Sequence, residues 1–377
     1  MPSLTDTILE LSVASELRTQ RFEADQRRRA LLRLRKLERT LITRLAAIDP
    51  GGVRSMRAKR RRVEKLLKDV RKRITLSYGD LRKEFEKEYV EMVRVTAVEF
   101  NGKVNSSVSV LTESVAGKEA AARVGNVALF DKMIEPKRAR QIVREASVMG
   151  GPMRRWWQNQ AVGTQRRYIN TITQGIEAKE NFSSLRSRVA EAMQTSAREA
   201  EAMVQTSMQT IVNQTRRELY EMNADIVRGV EQRSILDRRT SLICIGLDGG
   251  RWTLDGRRML GTVQAWPGYP PHHFRCRSTM MPIFKRLNEM RSVRGRAFRD
   301  QFQALPQEAR SAIDTQIREG ITIDEYLKKQ PEKQLRQQLG SGKYDLWKAG
   351  KIDTTDLIDQ RARPQTLAKL KSDLGIS

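Results

Sequence analysis

The sequence predicts a mainly α protein with a small α+β domain, and three observations carry that expectation. Leu, Ile and Val recur at steps of three and four among Arg, Lys and Glu over most of the chain. The period shortens towards alternation, between Asp-Gly and Pro-rich turns, only at about 228–284. The two histidines and two cysteines of all 377 residues fall in the single window 244–276. The expected order is a long N-terminal helical hairpin (1–116), a helical middle leading into a short-stranded Cys/His-bearing block (117–284), and a helical C-terminal tail (285–377).

Leu34, Leu37, Leu41, Leu45 and Ile48 form the apolar stripe of the first helix. "DPGG" at 49–52 stops it and turns the chain. A second helix restarts near Val53, with Val63, Leu67, Val70, Ile74, Leu81 and Phe85 as its stripe and Tyr78-Gly79-Asp80 as an expected interruption. Two narrow stripes joined by a tight turn suit an antiparallel hairpin whose open face packs on other subunits. Residues 101–130 are poorer in charge and richer in Ser, Gly and Val, and read as a linker or irregular segment. Helical spacing returns from Pro136 to about Val227, with a long helix over roughly Ser196 to Ala224. Earlier in the 136–227 stretch, Trp156-Trp157 beside Arg154-Arg155 is open to base stacking, or to one core and one interface tryptophan.

"RGVEQRSIL" alternates as a strand does, and "DGGRWTLDGRRM" sets Asp-Gly pairs around a short apolar run, a hairpin signal. "PGYPPHHFRCRS" is a Pro/Gly loop carrying His272, His273 and Cys276. After Pro282 the pattern is helical and polar to the end.

The net charge of +26 favours polyanionic surroundings: DNA, RNA or anionic lipid. The 39% hydrophobic content still allows a core. Residues 54–73 are densest, with eleven Lys/Arg and two acids. Arg54, Arg57, Lys59, Arg60, Arg61 and Arg62 are the candidate contacts to double-stranded DNA, made without sequence preference. A solvated helix face is the plainer alternative. Two cysteines cannot build a disulfide framework, which fits a reducing compartment. No window approaches 18 apolar residues, so no membrane span is expected. Acids precede the first basic residue, Arg18, the wrong order for a secretory signal.

His273-x-x-Cys276 is a metal-ligand spacing, and Cys244 closes the set from the neighbouring segment. Zinc held by Cys244, His273 and Cys276, with a fourth ligand from His272, Asp237 or water, would clamp a block that has little core of its own. A packed thiol–imidazole cluster and a Cys244–Cys276 disulfide are the alternatives. A metal-dependent nuclease needs an open metal position beside carboxylates, whereas two Cys ligands describe a closed, structural centre. H-x-E, P-C-x-x-C, a Walker phosphate loop and G-x-S-x-G are all missing from the sequence. No enzyme is expected.

"SILDRRTSLICIGLDGG" followed by "PPHHFRCRS" closely resembles the Mu F-like minor head proteins of tailed bacteriophages, the phage head morphogenesis family. The likeness rests on Asp237, Arg239-Thr240, Cys244, Asp248-Gly249, Pro270-Pro271, His273, Cys276 and Arg277. Asp237, Thr240, Asp248, Gly249 and Arg277 are its structural motif residues, and Thr206, Asn213 and Tyr220 stand at familiar places on the preceding helix. It covers about 130–285, and 320–371 less closely; the N-terminal hairpin has no specific motif. Ser241 and Ser278 stand where some members have a second Cys, and Ser207 where the family often has an acid. The resemblance implies a minor capsid protein in the virion, at the portal or the capsid interior, assembled in the host cytoplasm. It implies portal, major capsid or scaffold partners, several copies per particle, and a part in DNA packaging or ejection. An assembly chaperone absent from the mature virion, and a nuclease acting on phage or host DNA, are the competing readings.

Overall fold

The computed structural model describes residues 4–46, 56–125, 132–178, 180–285, 289, 291–292, 327–328 and 330–376. Its elements are α1 (Leu4–Ala46), α2 (Met56–Gly125), α3 (Pro136–Glu145), β1 (Ser147–Val148), β2 (Gly151–Pro152), α4 (Met153–Glu177) and α5 (Phe182–Met222). Then follow β3 (Val227–Arg233), α6 (Leu242–Leu247), β4 (Arg251–Thr253), β5 (Thr279–Phe284), α7 (Glu332–Leu339), α8 (Ser341–Lys348), a 3-10 turn (Thr354–Leu357) and α9 (Leu367–Asp373). The architecture is mainly α with small antiparallel sheets, as expected. No described helix is long and apolar enough to cross a membrane.

The chain divides into two compact units. One gathers Thr19–Met92 and Ala139–Ile211; the other gathers Met1–Arg18, Val93–Arg138 and Val212–Ser377.

In the helical unit, α1 and α2 run antiparallel, because the ion pairs Arg29–Glu88, Arg33–Glu84 and Arg44–Asp69 climb one helix while descending the other. These exposed pairs contribute little energy but mark the register. Leu34, Leu37, Leu41 and Leu45 are buried, as expected. On α2 the buried stripe is Leu66, Val70, Ile74, Tyr78, Leu81, Phe85 and Tyr89, with Val63 and Leu67 only half-buried. Tyr78-Gly79-Asp80 does not interrupt α2: Tyr78 continues the stripe, and its hydroxyl meets Thr164 Oγ1 at 2.9 Å. This chain's own α4 covers the stripe, where packing on other subunits was expected. Trp157 stacks on Phe85 at 5.4 Å between ring centroids, and Tyr168 donates to the Leu41 carbonyl at 3.1 Å.

Three further expectations are corrected. Residues 101–125, read as a linker, continue α2, since the segment holds no proline to break it. The stretch 136–227 is interrupted by the β1–β2 hairpin, where "MGGP" turns the chain with Met149 and Gly150 at positive φ. The helix expected from Ser196 begins at Phe182, where Asn181 Oδ1 accepts from the Ser184 amide at 2.8 Å. Ile48, Val53 and "DPGG" lie outside the described residues.

In the sheet-bearing unit the strand order is β4-β3-β5, antiparallel throughout. The expected hairpin is present: Trp252 bridges Arg258 around Asp255-Gly256, with Gly256 at φ 82°. Gly229 is required, because a Cβ there would stand 2.3 Å from the Trp252 carbonyl oxygen. The end of α5 packs on β5: Tyr220 Oη donates to the Met280 carbonyl at 2.9 Å and Asn213 Nδ2 to that of Ser278 at 3.3 Å.

The described part of the tail is more than a polar helix. Leu335, Leu339, Tyr344, Leu346, Ile352, Leu357 and Leu370 form a core together with Ile245 of α6. Residues 293–326 lie outside the described ones.

Candidate functional site

The site is built where β3 ends and α6 begins. Asp237 and Thr240 make a closed turn: the Asp237 amide donates to Thr240 Oγ1 at 2.9 Å, and that hydroxyl donates to the Ile235 carbonyl at 2.6 Å. Ser241 follows as the N-cap of α6, its Oγ accepting from the Cys244 amide at 3.3 Å. Asp248 closes α6 and accepts from the Ser234 amide at 2.7 Å, so both ends of the 234–248 segment are tied together. Gly249 follows at φ 78°, a conformation glycine adopts freely.

The Pro-rich loop brings the second half. Cys276 donates its amide to the His273 carbonyl at 3.1 Å, a tight turn that puts both side chains on one side. Arg277 grips Asp237 with two bonds of 2.6 Å and thereby fixes the loop against the 237–240 turn.

Cys244, His273 and Cys276 converge, with one ligand atom of each lying within 4.8 Å of the others. Cys244 Sγ stands 3.7 Å from Cys276 Sγ and 3.1 Å from His273 Nε2. His273 Nδ1 lies 2.8 Å from the Phe274 carbonyl, so the Nδ1 proton is donated there and the Nε2 lone pair faces the sulfurs. The Ser241 and Ser278 hydroxyls border the cluster, at 2.8 Å from His273 Nε2 and 3.1 Å from Cys244 Sγ. Both cysteines are free thiols and buried; His273 is half-buried.

This arrangement fits a metal ion of zinc class. With metal–sulfur bonds of about 2.3 Å, two tetrahedral thiolates lie about 3.8 Å apart and a thiolate and an imidazole about 3.5 Å. The observed 3.7 Å matches the first, and the 3.1 Å is a few tenths of an ångström short of the second. Neither side chain considered as a fourth ligand joins the group. His272 is turned away, with Nε2 2.8 Å from Gln232 Oε1, and Asp237 is held by Arg277.

The hydrogen bond with Cys244 pushes the Cys276 thiol well below its usual range, and the same bond together with burial pushes the Cys244 thiol up. The Cys276 sulfur raises the imidazole of His273, while burial lowers that of His272. Arg277 holds the Asp237 carboxyl well below the usual carboxylate range.

Among the candidate DNA contacts, Arg61 and Arg62 lie exposed on α2. Arg57, Lys59 and Arg60 fall on the same helix, but their side chains lie outside the described ones, as does Arg54 altogether. Lys65, Lys68, Arg71 and Lys72 extend the exposed basic face. The tryptophan pair is structural: Trp157 is core, and Trp156 is half-buried and donates to the Val148 carbonyl at 2.7 Å.

Sequence reasoning missed Ser234 and Gln338. Ser234 Oγ donates to the Cys244 carbonyl at 3.0 Å and meets Ser278 Oγ at 2.9 Å. Gln338 reaches the carbonyls of Asp237 and Thr240 from about a hundred residues away, a contact with no local signal.

Residues 166–281 match the family model described as Phage Mu protein F like protein, which bears out the resemblance carried by the motif residues. The matched segment runs from within α4 to β5 and contains the whole Cys/His site. No curated protein and no solved structure matches the chain.

Proposed function

We propose that the chain is a minor head protein of a tailed bacteriophage, associated with the portal or the capsid interior and aiding DNA packaging or ejection. The Mu F-like segment points to phage head morphogenesis and to the virion, and to other head proteins as partners. The observation that carries the reading is that the residues bearing the likeness build one continuous structure. Asp237, Thr240, Asp248 and Arg277 lock the backbone on which Cys244, His273 and Cys276 meet. In this reading zinc is the resident ion, held by those three side chains, and its chemistry is cross-linking. Bound there, it would join α6 to the Pro-rich loop and add its binding energy to folding. The exposed basic face of α2 lies against packaged DNA, whose phosphates it contacts without reading sequence.

A structural rather than catalytic centre is supported by the carboxylates around it. Asp237 is engaged by Arg277 and Asp248 by the Ser234 amide, so neither is left poised as a general base for a metal-bound water. Two assays on the full chain test the reading. Protein purified without chelator should carry close to one zinc per chain and retain double-stranded DNA uncut in the presence of magnesium, manganese or zinc. DNA cleavage that disappears in Cys276→Ser would make the protein a nuclease instead.

A further inference from the structure

We propose that the Ser241 hydroxyl is the fourth ligand of the metal ion at the Cys244–His273–Cys276 centre. The inference rests on the metal reading above and deepens it by assigning the position that three side chains leave vacant.

Ser241-x-x-Cys244 and His273-x-x-Cys276 are two turns of equal spacing that present their side chains to the same point. Each turn is closed by the amide of its cysteine, which donates to Ser241 Oγ in the first and to the His273 carbonyl in the second. The Ser241 oxygen lies 2.8 Å from His273 Nε2, the nitrogen whose lone pair faces the sulfurs. Since the Nδ1 proton is committed to the Phe274 carbonyl, it is the serine hydroxyl that donates to Nε2. An ion taking the Nε2 lone pair would displace that proton contact and leave the serine oxygen beside it, with one lone pair accepting from the Cys244 amide and the other open to the ion.

The neighbouring side chains are occupied. Ser278 Oγ is engaged with both Cys244 Sγ and Ser234 Oγ, a position suited to supporting the thiolate. His272 is directed at Gln232, and Asp237 is gripped by Arg277. Charge favours the same assignment: two thiolates already neutralise a divalent cation, and a hydroxyl completes the shell without adding repulsion. A hydroxyl is also a weak ligand for a zinc-class ion, so the centre should hold its metal less tightly than one with a third thiolate.

The test uses the full chain, stripped of metal under reducing conditions and titrated with cobalt(II), whose thiolate charge-transfer absorption grows with the number of bound sulfurs. Wild type should bind one cobalt in four-coordinate form with two thiolates. Ser241→Cys should show three thiolates and bind on the order of tenfold more tightly. Ser241→Ala should keep two thiolates and bind roughly tenfold more weakly. Ser278→Ala should leave the four-coordinate spectrum in place. If Ser241→Cys takes up cobalt with two thiolates at wild-type affinity, the assignment of Ser241 is overturned and the three-ligand centre stands. If folded wild type and Ser241→Cys both take up none, the metal reading falls with it. Should Ser241→Cys not fold, Ser241→Ala decides, and an unchanged cobalt affinity overturns the proposal.

Discussion

Asp237 takes part in more of the site's fixing contacts than any cysteine does. Its carboxylate accepts two bonds from Arg277 and one from the Arg239 amide, and its carbonyl accepts from Gln338. An aspartate ordinarily titrates near pH 4. The Arg277 hydrogen bonds depress that value in the folded chain, so the charged form favours folding. The contribution is complete above the unfolded pKa and is lost as pH falls through the lower folded value. Asp237→Asn should therefore cost roughly 1–2 kcal/mol at neutral pH. Its melting temperature should also fall less steeply than wild type's on acidification below about pH 4. Melting curves of the two proteins that stay parallel across this range would remove the lock from the account. Sequence made Asp237 and Arg277 visible as motif members. It could not show that they bind one another, because 40 residues separate them.

Among elements, α6 is short but has two neighbours. Its Cys244 faces the Pro-rich loop, and Ile245 enters the core of the C-terminal segment. Gly246 permits that contact, since a Cβ there would stand 2.6 Å from Ile358 Cγ1. Gly246→Ala should force the 354–358 segment outward at about 1–3 kcal/mol, the usual range for overpacking. Limited proteolysis should then cut the C-terminal segment faster, while an unchanged rate would mean the segment tolerates the methyl group. The docking of the tail on α6 was not legible in sequence, because its apolar residues are spread over four short elements with no long period. The helices α1 and α2 were legible for the opposite reason, a stripe repeated over many turns. What failed there was the inferred interruption at Tyr78-Gly79-Asp80, since a lone glycine weakens a long helix without ending it. The same helix bears the basic face. Replacing Arg60, Arg61 and Arg62 with Gln should weaken DNA binding equally for all sequences. It should also flatten the slope of log affinity against log salt by up to about 0.9 per lost phosphate contact. A slope identical to wild type's would move DNA contact away from this face.

For the whole molecule, composition suggests polyanionic surroundings and says nothing of protein partners. The +26 charge is spread over both parts of the chain: residues 1–100 carry 25 basic and 15 acidic residues, and the other 277 carry 46 and 30. Such a distribution suits a protein held beside bulk nucleic acid more than one with a single reading head. The grouping of Cys244, His273 and Cys276 was legible because rare residue types clustered in one window. The support given by Ser234, Gln232 and Gln338 was not, because common polar residues carry no spacing signal. The proposed place of this chain in the phage head is tested by the protein composition of purified procapsids, mature virions and virions emptied of DNA. A structural head protein should be present in procapsids and in mature virions, at a fixed number of copies. A chain found in procapsids and missing from mature virions would contradict it, and would make the protein an assembly factor that leaves before the particle is complete.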